Sequence, residues 1–183
     1  MPAAQLASYA RAVVKHADRV SYDPLLAVAI AHHESGWRPS AVSRDGEDIG
    51  LGQIRARFVG ACRKDPLPVK APGKACRAVR ARLKVGAYNI KLIFAYLKAW
   101  RKLCRAKTGS GKVRRVLMGY GGLSRPRHNQ WCGARKKAGK WKDQKAPKAV
   151  RRIYNRWHDL RKGWAKCRQR CIAYKLARRR LTR

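Results

Sequence analysis

The chain has 183 residues, and its 46 Lys and Arg against 9 Asp and Glu leave a net charge of +37 before any histidine is counted. With 45% apolar residues, a chain of this length reads as one domain over 1–183 that buries a real core, which excludes a disordered polycation. The longest apolar run, Pro24 to Ala31, falls far short of the ~20 residues that cross a bilayer. Met1 to Val20 carries Arg11, Lys15 and Arg19 and has no secretory core. Neither a membrane anchor nor an intact signal peptide is expected; the protein either stays inside or is a mature form whose leader has been removed.

In chain order, apolar positions recur at helical spacing and candidate strands are few, so the expected fold class is all-α. Ala4 to Val20 fits a first helix. Asp23-Pro24 reads as an N-cap followed by proline at the first helical position, opening a helix through Leu25, Leu26, Val28, Ala29 and Ile30 that stops near Gly36. A loop with Pro39 and Gly46 follows, then a short segment over Gly50 to Phe58 and a Pro-rich excursion with Pro66, Pro68 and Pro72. One long amphipathic helix is expected from about Ala75 to Leu103, burying Ile90, Phe94 and Leu97. Thr108 to Gly111 reads as a linker, Val113 to Met118 as a short helix, and Gly119 to Gly139 as irregular. Val150, Ile153, Trp157, Leu160, Trp164, Cys167, Cys171 and Tyr174 then make one apolar stripe along a basic helix over about 146–176, weakened at Gly163.

Six cysteines, Cys62, Cys76, Cys104, Cys132, Cys167 and Cys171, lack the paired C-x-x-C pattern of a structural zinc site and read as disulfides of an oxidising compartment. Cys62 and Cys76 bracket the Pro-rich stretch and are the first expected pair. Cys167 and Cys171, four apart on one helix, are poorly aligned to bond each other and are expected to pair with Cys104 and Cys132. Six buried thiols of a cytosolic protein remain the alternative.

The acids are lopsided: none lies between Asp65 and Asp143, and the only glutamates are Glu34 and Glu47, the latter flanked by Asp45 and Asp48. Glu34 follows an apolar helical turn, where partial burial would keep it protonated as a general acid; the bland alternative is an ion pair with Arg38. His32-His33-Glu34 does not make a metal helix, because the H-E-x-x-H pattern needs histidine where Trp37 stands. His16, His128 and His158 are scattered. No metal and no cofactor is indicated.

Glu34-Ser35-Gly36-Trp37-Arg38-Pro39-Ser40-Ala41-Val42-Ser43, followed by Gly50-Leu51-Gly52-Gln53-Ile54, resembles the glutamate-serine and Gly-Leu-Met-Gln-Ile motifs of soluble lytic transglycosylases, relatives of goose-type lysozyme. Asn89-Ile90 is similar to a pair on that family's long helix, and Met118 to Gly122 is similar to its Ala-Tyr-Asn-x-Gly motif. The resemblance covers about Pro24 to Ser124. It implies a lysozyme-like all-α fold that cleaves the β-1,4 bond between N-acetylmuramic acid and N-acetylglucosamine. In that reading Glu34 is the single general acid and base and the product is 1,6-anhydro-muramic acid. It also implies that Ser35 orients Glu34, that Gly50, Leu51, Gln53 and Ile54 line the glycan cleft, and that Tyr120 holds the acid by a hydrogen bond. Gly52 replaces the family's Met and Gly121 its Asn. Asp45, Glu47 and Asp48 keep a water-activating hydrolase open, although Arg55 and Arg57 occupy the stretch where goose-type lysozymes carry an aspartate.

Glycan cleavage does not require +37. Stem peptides, teichoic acids and outer-membrane phosphates are polyanionic, so the expected partners are peptidoglycan glycan strands and anionic envelope polymers, met extracytoplasmically by a secreted, periplasmic or virion-associated monomer. A solvated basic face of an Arg-rich proteome is the alternative. A nucleic-acid module could use the cations interleaved with Trp131, Trp141, Tyr154, Trp157, Trp164 and Tyr174. Against it, Trp157 and Trp164 share a face with Ile153 and Leu160 and are expected in the core, which leaves non-specific charge alone.

Overall fold

The apolar spacing resolves into six α-helices among the described residues. The computed structural model describes residues 1–64, 72–122 and 130–181, the last helix beyond 167 by its backbone alone. Most of the Pro-rich stretch, the end of the resemblance at Ser124, His128, and the side chains of Cys171 and Tyr174 lie outside the described residues.

Helix α1 (Ala3–Asp18) buries Tyr9, Ala12, Val13 and Ala17 against the long helix α4 (Gly86–Thr108). Helix α2 (Pro24–Ser35) is apolar nearly all round because it runs through the core, with Leu26, Ala27, Ala29, Ile30 and Ala31 at or below 1% exposure. Asp23 caps it by accepting from the Leu25 N–H at 2.9 Å, and Gly36 ends it in the left-handed conformation, donating back to Ala31 and His32. Ile90, Ile93, Phe94 and Leu97 of α4 complete the interior; each such side chain contributes about 1.5–3 kcal/mol on burial.

The single helix expected over 75–103 is two, α3 (Lys74–Leu83) and α4. The chain turns extended at Val85, and the Leu83 carbonyl is taken by the Asn89 side chain at 2.8 Å instead of by a continuing ladder. Helix α5 (Val113–Tyr120) packs on α4, and α6 (Lys148–Leu181) packs along α2.

Two small sheets were not expected. β1 (Asp48–Ile49) and β2 (Ile54–Arg55) pair antiparallel across the motif loop, Ile49 opposite Ile54. Within the stretch read as irregular, β3 (Gln130–Trp131), β4 (Ala134–Lys137) and β5 (Lys140–Asp143) form a meander. Its turns are Cys132-Gly133 and Ala138-Gly139, all four residues at positive φ, which is the two-residue hairpin geometry. Lysine-rich strands give no hydrophobic alternation, so periodicity does not reveal them.

The apolar stripe of α6 is a core element only at its start. Val150, Ile153 and Trp157 are buried, whereas Trp164, expected in the core, is 64% exposed, no described element covering it.

Candidate active site

Glu34 sits in the last turn of α2, just before the left-handed Gly36 that ends the helix. Its carboxyl opens into a cleft of about 580 Å³ lined also by Asp48, Gln53, Tyr96, Trp100 and Tyr120. Burial, with the Asp48 charge adding to it, pushes Glu34 up to about 7. Among the described residues no side chain hydrogen-bonds or ion-pairs with that carboxyl. Arg38, the alternative partner, instead donates from Nε to the Ser35 carbonyl at 3.0 Å.

Ser35 is not turned toward Glu34. Its hydroxyl is buried and donates to the Ala31 carbonyl one turn back, at 3.1 Å. Tyr120 differs from expectation in the same way: its hydroxyl donates to the Gly52 carbonyl at 2.7 Å rather than to the acid. Burial, then the neighbouring Glu34 charge, raises the Tyr120 phenol well above its ordinary value, so it stays a neutral donor.

The loop between β1 and β2 is held from beneath by Asn89, which is fully buried. Its Oδ1 accepts from the Gly52 N–H at 2.8 Å, and its Nδ2 donates to the carbonyls of Ile49 at 2.9 Å and Leu83 at 2.8 Å. Three buried backbone groups from two separate segments are thus satisfied by one amide. Gly50, at φ +82°, lies so close that a Cβ would run into the Asn89 amide and the Leu83 carbonyl. At Gly52, where the family's Met is absent, a Cβ would meet Ile93 at 2.5 Å and the Tyr120 hydroxyl at 2.8 Å. A side chain at this position would crowd the contact that Tyr120 makes with the loop backbone.

Gln53 takes φ +46°, a strained conformation for a residue with a Cβ. Its amide donates to the Gly50 carbonyl at 3.0 Å and the Ala41 carbonyl at 3.4 Å, closing the loop on itself. Of the four residues expected along the glycan cleft, Gln53 and Ile54 line it. Leu51 is buried in the core and Gly50 faces Asn89, so these two act as structure under the cleft.

The three acids offered as an alternative base separate clearly. Asp45 is exposed, bonded to the Ser43 hydroxyl and paired with Arg55 at 2.9 Å, and the Ser43 bond leads in holding it below its ordinary value. Glu47 is 4% exposed and paired with Arg57 at 3.0 Å, a geometry that fixes the loop. Asp48 alone lines the cleft with Glu34; burial raises its carboxyl, opposed by Arg55, whose Nε lies 3.9 Å away.

Tyr96 and Trp100 were not singled out from the sequence. They lie four apart on α4, beside the apolar face that Phe94 and Leu97 define, and that spacing was the available signal. The Tyr96 hydroxyl is buried with no hydrogen-bond partner among the described residues, and the Trp100 ring lies against Gly119. His32 meets Arg156 of α6 at 3.0 Å. It faces that helix and has no part in the cleft lining.

Cys62 and Cys76 are bonded, Cα atoms 4.5 Å apart, as expected. Cys104 and Cys132 are bonded to each other at 5.7 Å, tying the three-stranded sheet to α4. The expectation that they serve Cys167 and Cys171 is overturned: Cys167 is an exposed free thiol.

A core helix ending in a half-buried glutamate, faced by a small antiparallel loop and a tyrosine, defines a lysozyme-like all-α domain. A sequence model of the family described as the transglycosylase SLT domain matches residues 11–144, and the chain belongs to that family. The match begins in α1 and ends just after β5, so it reaches further at both ends than the motifs alone. No curated protein and no solved structure matches the chain significantly. Membership assigns the chain a transglycosylase domain acting in peptidoglycan degradation. No helix of the described residues is long and apolar enough to cross a membrane.

Proposed function

We propose that the protein is a lytic transglycosylase that cleaves the muramic acid–glucosamine β-1,4 bond and releases 1,6-anhydro-muramic acid ends. The observation that carries this reading is Glu34: a carboxyl raised to about 7, in a cleft, with no protein partner among the described residues. An acid poised near neutrality can both give and take a proton. Glu34 protonates the glycosidic oxygen as the C1–O bond breaks, so the leaving glucosamine departs as an alcohol. The muramyl acetamido group supports the cation-like C1, as in substrate-assisted glycosidases. The Glu34 carboxylate then takes the proton of the muramyl 6-hydroxyl while that oxygen bonds to C1, which restores the acid without water.

Tyr120 and Asn89 act here as positioning residues: they hold the Gly50–Ile54 loop against the cleft from opposite sides. Trp100 supplies an apolar wall of the cleft for a sugar ring. One specific observation favours a second reading, since Asp48 shares the cleft and could act as base toward a water. The site of action is extracytoplasmic, where peptidoglycan lies, with one domain working as a monomer on glycan strands.

The test is digestion of purified peptidoglycan by the native protein and by Glu34→Gln, with mass spectrometry of the released muropeptides. Anhydro products, lighter by one water than reducing ones and made only by the native protein, are the expected result. Reducing products would transfer the reaction to a hydrolase and to Asp48. Anhydro products from Glu34→Gln would remove Glu34 from its role.

A further inference from the structure

The β3–β5 meander sorts its side chains by register. Trp131 stands opposite Ala134 and Trp141 opposite Lys136, so both tryptophans share one face. Ala134 is fully buried there, and Lys107 lies over the Trp131 ring at 5.1 Å. Arg135 stands opposite Lys142 and Lys137 opposite Lys140, so the other face of the β4–β5 hairpin presents cations alone. All four are exposed, and none makes an ion pair among the described residues. Asp143, the acid of the hairpin, is on the tryptophan face, where Arg115 holds it at 2.7 Å.

Like charges directly opposite each other work against strand pairing, and here two successive cross-strand pairs carry them. Opposed side chains start about 5 Å apart, and the two pairs are about 7 Å apart along the strands. Each pair can close on one phosphate from two sides, and the next pair meets the phosphate that follows along a short polyol. The base of the hairpin is fixed: Cys132 is bonded to Cys104 of α4, the Gly133 carbonyl accepts from the Gln144 N–H at 2.8 Å, and Gly133 lies against Met118 of α5. Cys104 is one helical turn beyond Trp100, and Met118 precedes Gly119, both residues of the cleft lining. The hairpin thus rests on the helices that wall the cleft, and the family match over 11–144 includes it. The cationic face has no aromatic ring to stack on a base and no apolar side chain to enter a bilayer. What it complements is a flexible chain of closely spaced anions that accompanies peptidoglycan.

We propose that the Arg135–Lys142 and Lys137–Lys140 pairs form a docking site for a polyol-phosphate chain of the cell envelope, which holds the domain on wall that carries such chains. This rests on the peptidoglycan-directed reading of the domain and not on which product it releases. None of the four cations lines the Glu34 cleft.

The test is retention of the full chain, on ice and at physiological salt, by insoluble peptidoglycan that carries polyol-phosphate chains and by the same material stripped of them with hydrofluoric acid. Retention at least tenfold stronger on the phosphate-bearing wall is expected. The variant Arg135→Gln, Lys137→Gln, Lys140→Gln, Lys142→Gln should lose that preference. Removing opposed like charges should leave it at least as stable as the native chain, which thermal melting by circular dichroism checks. A control, Lys148→Gln, Arg151→Gln, Lys162→Gln, Lys166→Gln, removes the same charge from exposed positions of α6 and should keep the preference. If the fourfold hairpin variant does not fold, Lys137→Gln with Lys140→Gln, at the hairpin tip, should still lower the preference at least threefold. The proposal is overturned if the native chain binds both walls alike, if the hairpin variants keep the preference, or if the α6 control loses it equally, which would make net charge the cause. It is overturned as well if the hairpin substitutions weaken binding of duplex DNA or of phosphatidylglycerol vesicles by a larger factor than binding of the phosphate-bearing wall. Retention is read without the glycan product, so failure here is distinguishable from failure of the enzymatic reading, which the muropeptide digest decides.

Discussion

In the proposed reaction Glu34 carries the chemistry, because burial makes its charged form costly and no partner among the described residues offsets that cost. Replacing it by Gln should lower glycan cleavage by at least about a thousandfold, general acid–base steps and their coupled bond breaking being lost together. The pH dependence has a definite sign. The folded value, about 7, lies above the ordinary 4.5, so the stability contributed by protonated Glu34 is present below 4.5 and lost as pH rises through 7. That loss is at most about 3 kcal/mol. Gln mimics the protonated form, so melting temperatures of Glu34→Gln and native protein should agree near pH 4, with the variant higher at pH 8. Native activity in turn should fall as pH rises through about 7, because the first proton is no longer there to give. Asn89 is the other decisive residue. Asn89→Ala strands the Gly52 N–H and the Ile49 and Leu83 carbonyls, which should cost about 2–4 kcal/mol in denaturant unfolding and slow cleavage as the loop loosens.

The elements around the cleft are held by features of different legibility. Helix α2 was readable at both ends, from Asp23-Pro24 to Gly36, because caps are local chemistry. The break between α3 and α4 was not, since it depends on Asn89 reaching back to Leu83, a contact that helical periodicity does not encode. The Cys62–Cys76 bond was legible from the loop it closes, whereas the Cys104–Cys132 bond depends on the sheet folding back onto α4. Replacing Cys104 and Cys132 together by Ser should cost about 3–4 kcal/mol, the loop-closure entropy of the 28-residue separation. Hydrogen exchange should then locate the new opening in residues 130–143, with α2 and α4 still protected. The roles implied for Ser35 and Tyr120 also changed at this scale. A motif names residues, but the direction of a hydroxyl is set by the nearest carbonyl, Ala31 for one and Gly52 for the other.

At the scale of the whole molecule the charge of +37 acts on encounter more than on the bond broken. Cleavage of insoluble, anionic peptidoglycan should weaken steeply between low salt and 0.3 M, where the Debye length falls to about 6 Å. Cleavage of short soluble glycan fragments should change little over the same range, and turbidity loss compared with fragment chromatography separates the two.

Composition, charge, the helical class, the cap of α2 and the Glu34 to Ile54 motif pair were determined by the sequence alone, because each rests on neighbours within a few residues or on residue identity. Only the tertiary structure decided which acid shares the cleft with Glu34, that Asn89 ties three backbone groups together, and that Trp164 faces water instead of the core. Those outcomes depend on which surfaces meet, and a stripe of apolar residues is the same in sequence whether another helix covers it or leaves it exposed.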